Sequence, residues 1–218
     1  YKRQVSARIH GVEVKEVPLN QDFQLNTSAI LESADEKSKI IFIPTPNNPT
    51  ANSFEYKAIK KIIEEFPGLV VVDEAYIEFT DKESLTKLLS KYSNLIICQT
   101  FSKAQGMAGI RLGMAFAQTE LIKYINKIKA PYNLNSLTIE AAFKRLRDQD
   151  KIRKNVNYLI RERKRIEKLL NEISFIKKIY PSDANFILVG VDNSDLRYKQ
   201  LLDPVSYTHL TLPTILLV

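Results

Sequence analysis

The sequence predicts an α/β fold: a parallel sheet in the first half of the chain, then a smaller α+β unit. Two observations carry this. Apolar runs rich in Val and Ile alternate with amphipathic helical stretches, in the order β-α-β-α-β, through about residue 117. Beyond that the order becomes α-α-β-β-α, with no internal repeat and no low-complexity tract.

Each element has a local cause. Gly11 to Val17 alternates apolar and polar residues and predicts a strand. Phe23 to Ala34 reads as a turn into a short helix, and Lys39 to Ile43 as a strand. Ser53 to Phe66 predicts a helix with Phe54, Tyr56, Ile59, Ile62 and Ile63 as its apolar stripe, stopped by Pro67-Gly68. Val70 to Asp73 is a strand of β-branched residues, and Glu83 to Tyr92 reads as a helix. Leu95 to Cys98 and Met114 to Ala117 are strands around a loop carrying Lys103. Helices follow at Glu120 to Lys129, Ser136 to Arg147 and Lys151 to Ile173. Phe175 to Tyr180 and Asn185 to Val191 predict strands, and Asp195 to Leu202 a short helix.

Composition narrows the function classes. The chain has 218 residues, 44% apolar and 26% charged, which is enough for a sizeable core. No apolar run reaches the length of a membrane span, so no membrane partner is expected. The single cysteine, Cys98, falls in a strand expected to be buried; it excludes an internal disulfide and fits a reducing cytoplasm. The formal charge of +7 comes largely from Lys144 to Lys168. That stretch has apolar residues at helical spacing and one aromatic, Tyr158, so it reads as a helix with a solvated basic face rather than a nucleic-acid site.

The chemistry gathers at strand ends, where open α/β sheets bind ligands. Asn47 and Asn48 follow the strand ending near Pro44. Asp73 ends the next, with Tyr76 three residues on. Thr100-Phe-Ser-Lys103 follows the third, among small residues, with Arg111 further along. A lysine amine packed among small groups is desolvated, which favours the neutral, nucleophilic form. Singly, each has a bland explanation: a turn, a helix cap, a core aromatic, a surface lysine. Together, in order, they form a set. No metal site is expected.

The set resembles the fold-type I, pyridoxal-phosphate-dependent aminotransferases, and within them the histidinol-phosphate aminotransferase family. The phrases are Pro46-Asn-Asn-Pro-Thr50, Val72-Asp-Glu-Ala-Tyr-Ile-Glu-Phe79, Thr100-Phe-Ser-Lys-Ala104, Ala108-Gly-Ile-Arg-Leu-Gly-Met-Ala-Phe-Ala117 and Tyr180-Pro-Ser-Asp-Ala-Asn-Phe186, with Ala130-Pro-Tyr-Asn133. The departure is Ala51, where the family has Gly; alanine fits there unless positive φ is needed, and is read as tolerated.

The resemblance implies a mostly parallel sheet with helices on both faces. It implies a partial large cofactor-binding domain at residues 1–130, and a connecting helix with a partial small domain at 131–203. Residues 204–218 carry no Lys, Arg, Asp or Glu and are expected to be a non-native tail, so His209 receives no role. Lys103 would hold pyridoxal 5′-phosphate and then move the substrate proton. Asp73 would pair with the ring nitrogen, Asn48 and Tyr76 with the phenolic oxygen, and Arg111, Ser102 and Thr100 with the phosphate. The implied reaction takes L-histidinol phosphate and 2-oxoglutarate to imidazole-acetol phosphate and glutamate, in a homodimer. Alternatives within the fold are a threonine-phosphate decarboxylase of cobalamin synthesis and an aromatic or broad-range aminotransferase. A binding module using the basic helix is a reading from a different class. Since the resemblance implies further segments before Tyr1 and after Asp203, the chain alone is expected to be inactive.

Overall fold

The computed structural model describes residues 2–202, so the expected tail at 204–218 and His209 lie outside the described residues. Helices are α1 (Lys2–Ile9), α2 (Thr27–Ser33), α3 (Tyr56–Glu65), α4 (Thr119–Ile128), α5 (Ser136–Leu146), α6 (Gln149–Leu170) and α7 (Ser194–Leu202). Strands are β1 (Ile40–Pro44), β2 (Leu69–Asp73), β3 (Leu95–Thr100), β4 (Gly113–Ala117), β5 (Ile176–Ile179) and β6 (Val189–Val191). Among the described residues, no helix is long and apolar enough to cross a membrane.

The main sheet has four strands in the order β1-β2-β3-β4. β1, β2 and β3 are parallel, in a register that aligns Pro44, Asp73 and Cys98. β4 runs antiparallel to β3, which corrects the expectation of a parallel sheet through residue 117. A parallel return needs a crossover of about a dozen residues or more, usually helical. Between β3 and β4 there is only the single 3-10 turn Ala108–Ile110, so the chain doubles back, and Phe101 N–H donates to Leu112 O at 3.1 Å.

One face of this sheet is covered by α3. Ile59, Ile62 and Ile63 pack on Ile43, Val70, Val72, Leu95 and Ile97, all fully buried. A fully buried isoleucine contributes about 2 kcal/mol, so this stripe supplies much of the local stability. The α3–β2 turn is closed by Asn94 Nδ2, which donates to the carbonyls of Ile63, Phe66 and Gly68 at 3.0–3.3 Å. Gly68 is required by close approach, since a Cβ there would lie 2.5 Å from Lys39 O. On the opposite face Val71 and Ile96 are buried while Ile40 and Phe42 are about half exposed.

A second core forms over the carboxyl ends of the strands. Ile152 and Val156 of α6 pack with Ala51, Tyr76, Phe79, Ala104 and Ala184. The outward face of α6 is solvated: Arg153 pairs with Asp150 at exposed positions, and exposed Arg165 with half-buried Glu162. β5 and β6 form a separate antiparallel pair.

Further expectations need correction. Residues 12–20 form no helix or strand, because no neighbouring strand offers them a ladder among the described residues. Glu83 to Tyr92 holds one 3-10 turn, Leu85–Leu88, instead of an α-helix. The carboxylate of Glu74 takes Ser84 Oγ–H and Leu85 N–H, fixing the segment from its start. Cys98 is half-buried rather than buried. Only Val189–Val191 of the expected 185–191 strand pairs, because Ser182 Oγ holds Phe186 O in a turn.

Ala51 is the sharpest correction. It adopts φ +66° and is fully buried, so the position does require the left-handed region. Replacing Ala51 with Gly relieves about 1–2 kcal/mol of strain. It adds about 0.4–1 kcal/mol of unfolded-chain entropy and loses about 0.8 kcal/mol of methyl burial. These nearly cancel, so Ala51→Gly is expected to leave the urea midpoint close to that of the parent. Ala51→Val, branched and larger in the same site, is expected to cost about 2 kcal/mol or more. An unchanged midpoint for Ala51→Val would contradict the strained, filled setting.

Candidate active site

The parallel register delivers three loops to one edge of the sheet. The first follows β1. Thr45 N–H donates to Asp73 O at 2.9 Å, so the ladder continues one step past the strand. The peptide bonds before Pro46 and Pro49 are cis. Asn47 is buried and builds the turn: its N–H donates to Asn52 O, and its Nδ2 to Thr50 Oγ1 at 2.7 Å. Asn48, in contrast, is exposed, and its amide points to the next loop. Asn47 thus meets the turn explanation, while the Asn48 amide is spent on Tyr76 instead.

The second loop follows β2. Asp73 is half-buried at the strand's last paired position, and its Oδ1 accepts from Ala75 N–H at 3.1 Å. Tyr76 is 7% exposed. The third follows β3. Thr100 Oγ1 accepts from Ser102 N–H at 3.1 Å and lies 3.4 Å from Leu112 O, so this hydroxyl shapes the loop. Gly106 closes it at φ +67°, donating its N–H to Lys103 O at 2.9 Å.

Tyr76 is where these loops meet. Asn48 Nδ2 donates to Tyr76 Oη at 3.1 Å. Lys103 Nζ lies 4.9 Å from the centroid of the Tyr76 ring. By accepting from Asn48, the phenol keeps its own proton for another acceptor. The structure therefore brings Asn48, Tyr76 and Lys103 into contact and sets Asp73, Thr100 and Ser102 on the adjoining strand ends. Arg111 stays apart: it is exposed, left-handed at φ +54°, and its Nη1 donates to Ala108 O at 2.8 Å within its own turn. A hollow of about 470 Å³ lies elsewhere, between α6 and β5, and none of these residues lines it. Among the described residues no cluster of His, Cys, Asp and Glu is arranged to hold a metal ion.

Several supporting residues were not singled out from the sequence. Glu74 is 1% exposed and accepts from Ser84 Oγ, Leu85 N and Gln99 Nε2 at 2.6–2.9 Å, tying β2, β3 and the Leu85 turn together beside Asp73. Phe186 packs edge-on against Tyr76, ring centroids 5.3 Å apart. Asp183 bonds the loop after Asn48. The phrases carrying the resemblance contain Glu74, Asp183 and Phe186, but nothing in their spacing tells which loop they reach.

Comparison with known proteins bears on the family and the fold. A family model described as aminotransferase class I and II matches residues 3–213. The histidinol-phosphate aminotransferase of Flavobacterium johnsoniae is 49% identical over 199 residues, covering 91% of this chain and 57% of that protein. The chain thus spans little more than half the length of that relative. The crystal structure of histidinol-phosphate aminotransferase from Clostridium acetobutylicum superposes with a TM-score of 0.85 at 29% identity, covering 92% of this chain and 62% of that one. The Sinorhizobium meliloti histidinol-phosphate aminotransferase, solved in complex with pyridoxal-5′-phosphate, gives 0.82 at 24% identity over 92% of this chain and 55% of that one; at that identity it supports the fold.

Glu78, between Tyr76 and the Lys103 loop, carries the electrostatic strain of the region. Burial pushes its carboxyl above the ordinary range, and the nearby Glu74 carboxylate adds to this, against a hydrogen bond from Gln105. A carboxyl raised in the folded state binds more protons there than when unfolded, so stability falls as pH rises from the ordinary glutamate range through the raised value. Glu78→Gln removes the charge and keeps a hydrogen-bonding partner for Gln105. The variant is expected to match the parent at about pH 4 and to exceed it in urea midpoint at about pH 8. Parallel pH profiles for the two proteins would refute this.

Proposed function

The chain belongs to the class I and II aminotransferase family, and from that premise we propose that, completed to the length of its relatives, it works with pyridoxal 5′-phosphate to move an amino group from L-histidinol phosphate to 2-oxoglutarate, yielding imidazole-acetol phosphate and glutamate. The observation that carries this reading is the meeting of the Lys103 amine, the Tyr76 phenol and the Asn48 amide beside the strand end that bears Asp73. The donor set fits the cofactor's chemistry: an amine for its aldehyde, a carboxylate for its ring nitrogen, a phenol and an amide for its phenolic oxygen, and hydroxyls with a guanidinium for its phosphate. When bound, pyridoxal phosphate supplies an electron sink for the charge that develops at the substrate's α-carbon.

The protein's own groups divide the work. Lys103 would hold the cofactor through its amine and would carry the proton at the substrate's α-carbon. Asp73 keeps the ring nitrogen protonated. Tyr76 O–H and the Asn48 amide share the phenolic oxygen. Ser102 and Thr100 offer hydroxyls to the phosphate, and Arg111 offers a planar fork. Only one of the five guanidinium N–H groups is committed to Ala108 O, which leaves the others for the phosphate. The relatives' names favour histidinol phosphate over the decarboxylase and broad-range alternatives. We take the working unit to be a cytoplasmic homodimer acting on small molecules. Ile128, Tyr132 and Leu137, each more than three-quarters exposed, give a second subunit apolar surface to bury.

Borohydride reduction after incubation with pyridoxal phosphate, followed by peptide mapping, tests the assignment. One label per chain on Lys103 is expected, and none at that peptide in Lys103→Ala. In a chain completed at both ends, Asp73→Asn is expected to keep the label while slowing transamination, because its carboxylate acts on the ring nitrogen and not on attachment. Label scattered over surface lysines, with no preference for Lys103 even in a chain completed at both ends, would remove the basis of the reading.

A further inference from the structure

The pair Asn48–Tyr76 is held from far along the chain. Asp183 grips the loop that follows Asn48 on both sides of Asn52. Its backbone N–H donates to Ala51 O at 2.7 Å, and its Oδ2 accepts from Ser53 N–H at 3.1 Å, across 130 residues of sequence. Ala51, within that grip, is the left-handed residue. Phe186 presents its ring to Tyr76 at an interplanar angle of 77°. Ser182 makes the two act as one unit, for its Oγ donates to Phe186 O at 2.6 Å and accepts from Ala184 N–H at 3.1 Å. Arg163 of α6 fastens this turn to the segment after Tyr76, donating from Nη1 to both Ala184 O and Phe79 O.

We propose that the turn 182–186 is the positioning element of the Asn48–Tyr76 pair: Asp183 sets the amide and Phe186 sets the phenol. In assigning the pair a purpose, the proposal rests on the reading that it serves the cofactor's phenolic oxygen. Neither Asp183 nor Phe186 is assigned a bond to that oxygen. They act through the direction of one hydrogen bond, Asn48 Nδ2 to Tyr76 Oη, whose donor is an exposed residue in an otherwise largely buried loop and whose acceptor sits on a buried ring. An exposed donor loses such a bond to water unless its backbone is fixed, and Asp183 makes hydrogen bonds to the backbone that follows it. A buried phenol can tilt unless its ring is braced. Phe186 braces it on one side, with Lys103 Nζ over the ring.

The test follows the side-chain amide of Asn48 by ¹⁵N–¹H spectroscopy in the full chain, without added cofactor. Asn94 serves as an internal reference, because its amide is bound at the α3–β2 turn by three carbonyls. Asp183→Ala and Phe186→Leu are expected to displace the Asn48 resonances beyond their linewidth and leave those of Asn94 in place. Asp183→Asn, which retains an oxygen for Ser53 N–H, is expected to restore the parent position. Should Asp183→Ala fail to fold, Phe186→Leu and Asp183→Asn still decide the matter. Unmoved Asn48 signals in Phe186→Leu, or Asn48 and Asn94 moving together, would overturn the proposal. A parallel titration of pyridoxal phosphate absorbance against pH separates it from the functional reading. Parent label on Lys103 with a displaced absorbance midpoint in Phe186→Leu supports both. Displaced Asn48 signals without label on the parent Lys103 would retain the positioning element and defeat the aminotransferase site. An absorbance midpoint that stays put in Phe186→Leu, with Lys103 labelled, would defeat the positioning role.

Discussion

Parallel pairing of β1, β2 and β3 is the constraint on which the rest depends. Strands that run the same way end on the same edge, and the register that aligns Pro44, Asp73 and Cys98 makes them end at the same height. Asn48, Tyr76 and Lys103 lie far apart in sequence but leave the sheet within a few residues of that edge. Burial of Ile43, Val70, Val72, Leu95 and Ile97 against α3 enforces the register. A one-residue slip would turn each of those side chains to the opposite face. Hydrophobic patterning on one side of the sheet therefore fixes polar geometry at its end.

Much of this was legible in the sequence, because it rests on local patterns. Runs such as Leu69–Asp73 and Leu95–Thr100 announce themselves by β-branched residues and a polar stop. The stripe of α3 declares its buried face by spacing, and Pro67-Gly68 marks its end. What was hidden depended on partners distant in sequence. The Glu83 to Tyr92 segment has helical spacing, but Glu74 claims its first donors. The direction of β4 is set by the absence of a crossover helix in residues 101–112, and a Gly-rich loop shows no periodicity that distinguishes a return from a crossover.

Ala51 illustrates the limit at a single residue. Alanine argues against positive φ, yet the backbone there is left-handed at +66°. The surroundings over-determine it: Ala51 N–H donates to Asn47 O, and its carbonyl accepts from Asp183 N–H. The buried methyl, packed with Tyr76 and Ala184, offsets part of the strain. The candidate site was thus readable as a set of side chains on strand ends. The framework that aims those side chains was not, because it is built from backbone groups that every residue carries.

The long reach of Asp183 also has a temporal side. The Lys103 loop is closed by neighbours, Phe101 with Leu112 and Gly106 with Lys103, so it needs only a short length of chain. Contacts local in sequence form quickly, and distant ones carry a larger loop-closure cost. On a ribosome, the β3–β4 hairpin emerges whole while residues 182–186 are still inside the tunnel or not yet made. The lysine's loop therefore takes shape first. The amide–phenol pair settles last, once the turn from the smaller sheet arrives to complete it.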